Sequence, residues 1–444
     1  MNVSGRKILV IGMERTGVAT VEFLALHGAR VTAADTRQLA HLPFAAPVLH
    51  RLNIPFRPQN DGGFQHFDMI VLSPGVPADL PALNDAREHG VAVIGEVELA
   101  ASYLQGPVIG ITGSNGKTTT TALTGHILES CGIPVQVGGN IGTPVTAMIG
   151  SSLPEQWNVL ELSSFQLETT RSLRADVAVG LNVTQNHLDR HYTLANYAKA
   201  KGNLFASQKP EQTAVLNADD AHCVAFGEIT PARKIWFSST RRVDGLWIDG
   251  EMIRYDSEPV LPTAEVPIRG RHNFENAMAA TAAALTAGAG IDAIAAAIRT
   301  FRAVEHRLEF VRTVAGVDYY NDSKATSVDA TLKALDSFAG NLWVILGGKD
   351  KGSDYTLLRE PLQLKARAAL LIGAAAPKIQ SQIEGAAPVI AAGTIEQAVA
   401  EASSRAVAGD TVLLAPACAS FDQFQNYEVR GRVFKSLVQA LESK

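Results

Sequence analysis

The chain has 444 residues, of which 46% are hydrophobic and 19% charged, and a formal net charge of −5. That length gives two or three domains, each with a core of its own, and the acidic balance excludes the basic field of a general nucleic-acid binder. Its three cysteines, Cys131, Cys223 and Cys418, lie far apart without a CxxC pair, which excludes a disulfide framework or a cysteine-built zinc site and fits a reducing cytosol.

Residues 1–95 alternate short apolar runs with helical patterns. Strands are expected over 7–11, over 30–34 ending at Asp35, and over 69–72 running into Ser73, Pro74 and Gly75; a helix is expected over 17–27. The apolar run at 8–13 is broken by Glu14 and Arg15, so it reads as a strand and not as a secretion signal. This is the pattern of a doubly wound nucleotide-binding sheet, with ligands at the carboxyl ends of its strands. In the first turn, Gly12 to Gly17, Glu14 stands where a dinucleotide fingerprint needs glycine. The turn argues against NAD, yet it precedes a helix N-terminus and suits another diphosphate. Asp35 stands where an acid meets a ribose or base, and equally where one caps a helix.

Residues 96–303 carry the most informative stretch. A buried strand is expected over 107–111 and a helix over 118–128, and between them run Gly113, Ser114, Asn115, Gly116, Lys117 and Thr118. Glycines there let backbone N–H groups face a polyphosphate, with Lys117 on the β/γ oxygens and the Thr118 hydroxyl on Mg²⁺. The strict phosphate loop has glycine five residues before Gly116; this chain has Ile111 there, with glycines at 110 and 113. The strand over 157–160 ends at Glu161, a natural Mg²⁺ ligand or water positioner beside such a loop. A strand over 176–181 leads into residues 182–190, where His187 suits packing or capping as well as a metal or phosphate. On composition alone, Lys199 and Lys201 in the following helix are its solvated face. A strand over 213–217 and a helix over 273–288 complete the block. The uncharged stretch 276–291 is too short to span a membrane.

Residues 304–444 alternate again: strands over 317–321, 342–346, 368–372 and 411–414, and a helix over 331–337. Loops 321–326, 347–352 and 416–420 all follow strands, so they gather at one edge of a parallel sheet. Together they present Lys324, Thr326, Lys351 and Ser420, cations and hydroxyls that suit a carboxylate. Taken singly, each loop also reads as ordinary turn chemistry.

The motifs at 113–118, 160–168, 182–190, 270–276, 306–307, 321–326 and 416–424 together resemble the Mur ligases, and the resemblance runs from about residue 7 to residue 434. It implies three α/β domains: a Rossmann-like UDP-sugar domain (1–95), a central P-loop ATPase domain with a mainly parallel sheet (96–303), and a Rossmann-like amino-acid domain (304–444). Within the family the chain is similar to the branch that adds D-glutamate to UDP-N-acetylmuramoyl-L-alanine through an acyl phosphate, releasing ADP and phosphate in peptidoglycan precursor synthesis. The resemblance implies ATP held by Gly113, Ser114, Asn115, Gly116, Lys117, Thr118 and Thr119, with Asn276, Arg307 and Asp322 on its adenosine part. Two Mg²⁺ ions are implied, on Thr118, Glu161, His187 and Lys201, the last carrying CO₂ as a carbamate within a Tyr197–Lys201 motif. Lys117, Glu161, His187 and Lys201 form the implied catalytic set.

For the UDP-sugar the resemblance points to Arg15, Thr16, Asp35, Thr36, Arg37, Ser73, Pro74 and Gly75, with Asn140, Gln166 and His187 toward the muramoyl end. For D-glutamate it points to Lys324, Thr326, Lys351, Ser420 and Tyr427. A cytoplasmic monomer with small-molecule substrates, and neither nucleic-acid nor membrane partners, is expected. Two other classes share the fold: a folylpolyglutamate synthetase-like ligase and a non-catalytic UDP-sugar sensor. The folate enzymes do not usually carry the Arg15–Arg37 set or Ser163, Ser164, Phe165 and Gln166, and a sensor does not need the whole catalytic set.

Overall fold

The computed structural model describes residues 1–268, 270–302 and 304–442; Ala303, where the second expected boundary falls, lies outside the described residues. Three sheets follow the three expected blocks. The first contains β1 (Lys7–Ile11), β2 (Arg30–Asp35), β3 (Phe56–Pro58), β4 (Met69–Leu72) and β5 (Ala92–Gly95), in the order β3-β2-β1-β4-β5. All its pairings are parallel. Its strands are near-continuous apolar runs because helices cover both faces; every residue of β4 is buried. The strand order reverses between β1 and β4, which opens a crevice at their carboxyl ends.

The second sheet holds β6 (Val108–Thr112), β7 (Val135–Gly139), β8 (Trp157–Glu161), β9 (Val177–Gly180), β10 (Thr213–Asn217), β11 (Arg233–Ser238), β12 (Gly245–Asp249), β13 (Met252–Tyr255) and β14 (Glu258–Pro262). Its order is β14-β13-β12-β11-β10-β9-β6-β8-β7. The pairings are parallel from β7 to β12 and become an antiparallel meander through β14. The third sheet holds β15 (Glu309–Val314), β16 (Val317–Asn321), β17 (Leu342–Gly347), β18 (Ala366–Ile372), β19 (Val389–Gly393) and β20 (Thr411–Leu414), in the order β15-β16-β20-β17-β18-β19. Only β15 runs antiparallel. β16, β20 and β17 are neighbours and parallel, so the three loops that follow them do share one edge.

Helix ends differ from expectation where glycine was read as a boundary. The first helix spans Arg15–Leu26 and places Gly17 inside its first turn. A Cβ at Gly17 would sit 1.8 Å from the Gly12 carbonyl oxygen, so this glycine serves close helix–turn packing and not helix initiation. The helices expected over 118–128 and 273–288 span Lys117–Ser130 and Arg271–Thr286.

The chain divides into two compact units, Met1–Thr263 with Glu275–Ile298, and Ala264–Phe274 with Arg299–Lys444. The first two sheets thus share one unit. The helix Glu96–Ala101 joins them: Leu99 enters the core of the first sheet, while Val97 and Ala100 enter that of the second. Beside them the Glu96 carboxylate accepts from the Thr146 N–H (2.7 Å) and hydroxyl (3.1 Å). Burial outweighs those bonds and pushes its pKa from 4.5 up to about 7. Its folded-state pKa lies above the unfolded one, so its contribution to stability is complete below pH 4.5 and is lost as the pH rises through 7. Glu96→Gln keeps the acceptor and removes the charge. The variant should therefore lie within about 1 kcal/mol of the wild type near pH 5 and exceed it above pH 7, by on the order of 3 kcal/mol at ~1.4 kcal/mol per unit. Denaturant unfolding at pH 5 and pH 8 checks this; equal stabilities at pH 8 would contradict it.

Candidate active site

The second sheet builds the densest polar site. β6 ends at Thr112, and the loop beyond it turns at Gly116 (φ 83°), where a Cβ would lie 2.3 Å from Asn276 Oδ1. Asn276 Oδ1 accepts from the Thr120 hydroxyl (3.2 Å) and so fits against the loop. The loop is fixed from the end of β9: Ser114 N–H donates to Asn182 O (2.8 Å) and Asn115 N–H to Asn182 Oδ1 (2.9 Å). Lys117 opens the helix and folds back, donating to Gly113 O (2.8 Å) and Ser114 O (3.0 Å). Thr118 and Thr119 are buried in the first helical turn. The Thr118 hydroxyl donates to Glu161 Oε2 (2.7 Å), and Asn140 Nδ2 donates to Glu161 Oε1 (2.8 Å). Asn140, expected at the muramoyl end, thus reaches the Glu161 carboxylate, and Gln166 closes a capping box with Ser163.

Lys201 departs most from a reading by composition. Lys199 is exposed, but Lys201 is 1% exposed. Its Nζ donates to Gly113 O (2.8 Å), the same oxygen that Lys117 uses, and lies 4.6 Å from the centre of the Tyr197 ring. Burial first, and then the Lys117 charge, hold its pKa well below the ordinary 10.5. Two ammonium groups sharing one carbonyl inside a protein repel each other strongly, so the neutral amine is favoured at Lys201.

His187 is exposed, at φ 54°, just before the short helix Leu188–His191. Its ring meets Phe165 edge-on (4.9 Å) and Tyr197 (6.3 Å), which places it on the same side as Lys201. Tyr197 also lies 3.1 Å from the Ser114 hydroxyl. Among the described residues no group of three or more His, Cys, Asp or Glu side chains forms a metal cage. The buried Glu161–Thr118 pair instead offers hard oxygens, which suit Mg²⁺.

The first sheet gathers its expected residues at the carboxyl ends of β1, β2 and β4. Asp35 caps no helix: its carboxylate accepts from Met13 N–H (2.8 Å), Arg37 N–H (3.0 Å) and Arg37 Nε (3.1 Å). Burial would raise its pKa, but the Arg37 and Met13 bonds prevail and lower it. Arg37 also pairs with Glu14 (2.6 Å), which gives the residue that broke the dinucleotide fingerprint a partner. Thr36 flanks the same carboxylate (3.5 Å), the Thr16 carbonyl accepts from Thr20 (2.8 Å), and Arg15 opens the helix. Ser73 donates to Gly12 O (2.7 Å) and holds the turn of Ser73, Pro74 and Gly75 against the first turn.

In the second unit, Lys324 Nζ lies 3.8 Å over the Tyr427 ring, and the Ser323 hydroxyl donates to Tyr427 O (2.8 Å). Thr326 N–H donates to Lys324 O (2.7 Å), and Lys349 pairs with Ala419 beside buried Ser420. Lys351 is exposed in the neighbouring loop. Asp322 accepts from Leu308 N–H (3.3 Å); burial, against that bond and the charge of Arg307, pushes its pKa up to about 7. Arg430 was not expected. Buried to 1% exposure, it donates to Ser323 O (2.9 Å), Ser323 Oγ (3.0 Å) and Cys418 O (3.2 Å), tying two of the loops together. Its i to i+3 spacing from Tyr427 is the one sequence signal that links it to the site.

Three α/β sheets with polar loops at the carboxyl ends of their strands, one with a lysine–threonine–glutamate cluster, fit the architecture of an ATP-using ligase, and the comparisons agree. Family models match over residues 6–95 (Mur ligase MurD-like, N-terminal domain), 111–284 (Mur ligase middle domain) and 306–418 (Mur ligase, glutamate ligase domain). A protein of Solibacter usitatus named UDP-N-acetylmuramoylalanine--D-glutamate ligase is 60% identical over 445 residues, covering 100% of both chains. One of the same name from Acidobacterium capsulatum is 49% identical, covering 99% of this chain and 97% of its own. Among solved structures, a pseudomurein peptide ligase type C from Methanothermus fervidus shares the fold at a TM-score of 0.61 and 20% identity, covering 99% of this chain and 100% of its own. The chain belongs to the Mur ligase family. No helix among the described residues is long and apolar enough to cross a membrane.

Proposed function

We infer that this chain is an ATP-dependent ligase that joins D-glutamate to UDP-N-acetylmuramoyl-L-alanine. The observation that carries the reading is the convergence of Lys117, the Thr118–Glu161 pair and buried Lys201 on one loop; the full-length relatives bear the matching name. A carboxylate is too poor an electrophile to accept an amine at neutral pH. The γ-phosphoryl group of ATP passes to the substrate carboxylate, the glutamate amine attacks the acyl carbon, and phosphate leaves with the bonding pair. Both reacting partners are anionic, so the site must supply positive charge and in-line positioning. Lys117 supplies charge toward the β/γ-phosphates once it releases the loop carbonyls. The helix N-terminus at Lys117 orients the phosphates. Bound Mg²⁺, held by Thr118, Glu161 and His187, would neutralise phosphate oxygens.

Lys201 is assigned a carbamate: its neutral amine attacks CO₂, a C–N bond forms, and one proton leaves to solvent. The resulting oxygens would join Thr118, Glu161 and His187 in holding the metal. Asp35, Thr36, Arg37 and the Ser73–Gly75 turn are assigned to the uridine diphosphate, and Arg15, Thr16, Asn140 and Gln166 to the same substrate. Lys324, Thr326, Lys351, Ser420 and Tyr427 are assigned to D-glutamate, and Asn276, Arg307 and Asp322 to adenosine. Phosphate release with ATP, Mg²⁺ and UDP-N-acetylmuramoyl-L-alanine should require D-glutamate and give a product heavier by one glutamyl residue. Release that favours L-glutamate would keep the chemistry and overturn the substrate; no release with any amino acid would overturn the ligase.

A further inference from the structure

The segment after His187 does more than carry that histidine. Arg190 Nη2 donates to Val76 O in the turn after β4 (2.9 Å) and to Glu168 Oε2 in the second block (3.1 Å). Its side chain is only 12% exposed. The guanidinium lies 5.3 Å over the Phe165 ring, whose edge contact with His187 is 4.9 Å. Two residues further on, the Tyr192 hydroxyl donates to Asp79 (2.8 Å), again in the first block. Both ends of this short helix are strained: His187 has φ 54° and Tyr192 φ 65°, and a bulky residue keeps such a backbone only when its surroundings enforce it. The Val76 and Asp79 contacts reach the chain just beyond Ser73, Pro74 and Gly75, the Phe165 contact reaches the ring against His187, and Glu168 and Ser164 hold the helix from the second block.

We propose that Arg190 is a positioning residue that sets the UDP-sugar turn and the His187 ring in one geometry, so that the bound acceptor carboxylate meets the phosphate loop; this rests on the ligase reading. A planar fork suits the task because it donates to a carbonyl and a carboxylate at once while stacking on a ring, which lysine cannot do. The Tyr192–Asp79 bond is a second, weaker tie across the same boundary.

The test compares wild type with Arg190→Lys, Arg190→Met and Tyr192→Phe. Calorimetry reads UDP-N-acetylmuramoyl-L-alanine and ATP binding separately, steady-state kinetics reads kcat and each KM, and thermal unfolding reads folding. For both Arg190 variants, kcat should fall and the KM and Kd for the UDP-sugar should rise, each by about tenfold or more, the range seen when an orienting partner is removed. ATP affinity and the unfolding midpoint should stay at the wild-type values. Tyr192→Phe should shift the same parameters less. Wild-type kinetics in Arg190→Met, or equal weakening of ATP and UDP-sugar binding, would overturn the proposal, the latter by showing a merely structural role. If Arg190→Met does not fold, Arg190→Lys decides, since unchanged UDP-sugar affinity in it also overturns the proposal. A wild-type protein that binds the UDP-sugar but releases no phosphate would sink the ligase reading alone and leave the binding comparison readable.

Discussion

Replacing Lys201 by alanine is expected to lower kcat by on the order of 10³-fold, about 4 kcal/mol of transition-state stabilisation. The side chain is almost fully buried, shares the Gly113 carbonyl with Lys117 and forms no ion pair among the described residues. A structural ammonium in that position would be costly, because a buried charge needs a partner. The carbamate reading removes the difficulty by turning a cation into an anion beside Lys117. Short carboxylates such as acetate or formate should then restore part of the activity of Lys201→Ala, since they bring the missing oxygens to the cavity left by the side chain. Activity that stays flat as the carboxylate concentration rises would rule out the carbamate. Mass spectrometry of the bicarbonate-equilibrated wild type under mild conditions gives an independent reading of the added CO₂.

The second large effect is steric. Gly17→Ala places a methyl group 1.8 Å from the Gly12 carbonyl oxygen and 3.0 Å from the Ser73 hydroxyl. Both neighbours belong to the junction that holds the two turns together, and the nearer one is backbone, which cannot swing away. The helix Arg15–Leu26 must then lift off β1, exposing Val21 and Leu24. A loss of about 3 kcal/mol in unfolding free energy is expected, at the upper end for overpacking, together with weaker UDP-sugar binding. Gly150→Ala is the matched control, because nothing lies within 4 Å of a Cβ there; its stability should stay within about 0.5 kcal/mol of wild type. Denaturant titration of the two variants checks both statements, and a Gly17→Ala protein as stable as the control would show that the turn accommodates the methyl group.

Local patterns were legible where chemistry follows from the order of residues. Strand, glycine loop, Lys117 and Thr118 form a contiguous motif, so the strand–loop–helix unit with Lys117 at its helix start could be read from the chain. Glu161, at the end of an apolar run, was legible as the last residue of a parallel strand beside that loop. The gathering of loops 321–326, 347–352 and 416–420 on one edge was likewise legible, because each follows a strand of one parallel sheet.

Other features depended on which distant residues came together. Composition made Lys201 a solvated lysine; packing of the helix Leu194–Ala206 on the second sheet buried it against Tyr197. Asp35 offered a helix cap among its readings, and the fold bonded it to Met13 and Arg37. Arg190 and Arg430 sit in ordinary helical sequence, and only contacts across the chain made them ties between loops. The chain by itself therefore determined the sheet class and the chemistry of its contiguous loops, since short-range geometry and apolar periodicity are written residue by residue. The tertiary structure alone decided burial, shared hydrogen-bond acceptors and ties between blocks, because each depends on residues dozens of positions apart meeting at distances of a few ångströms.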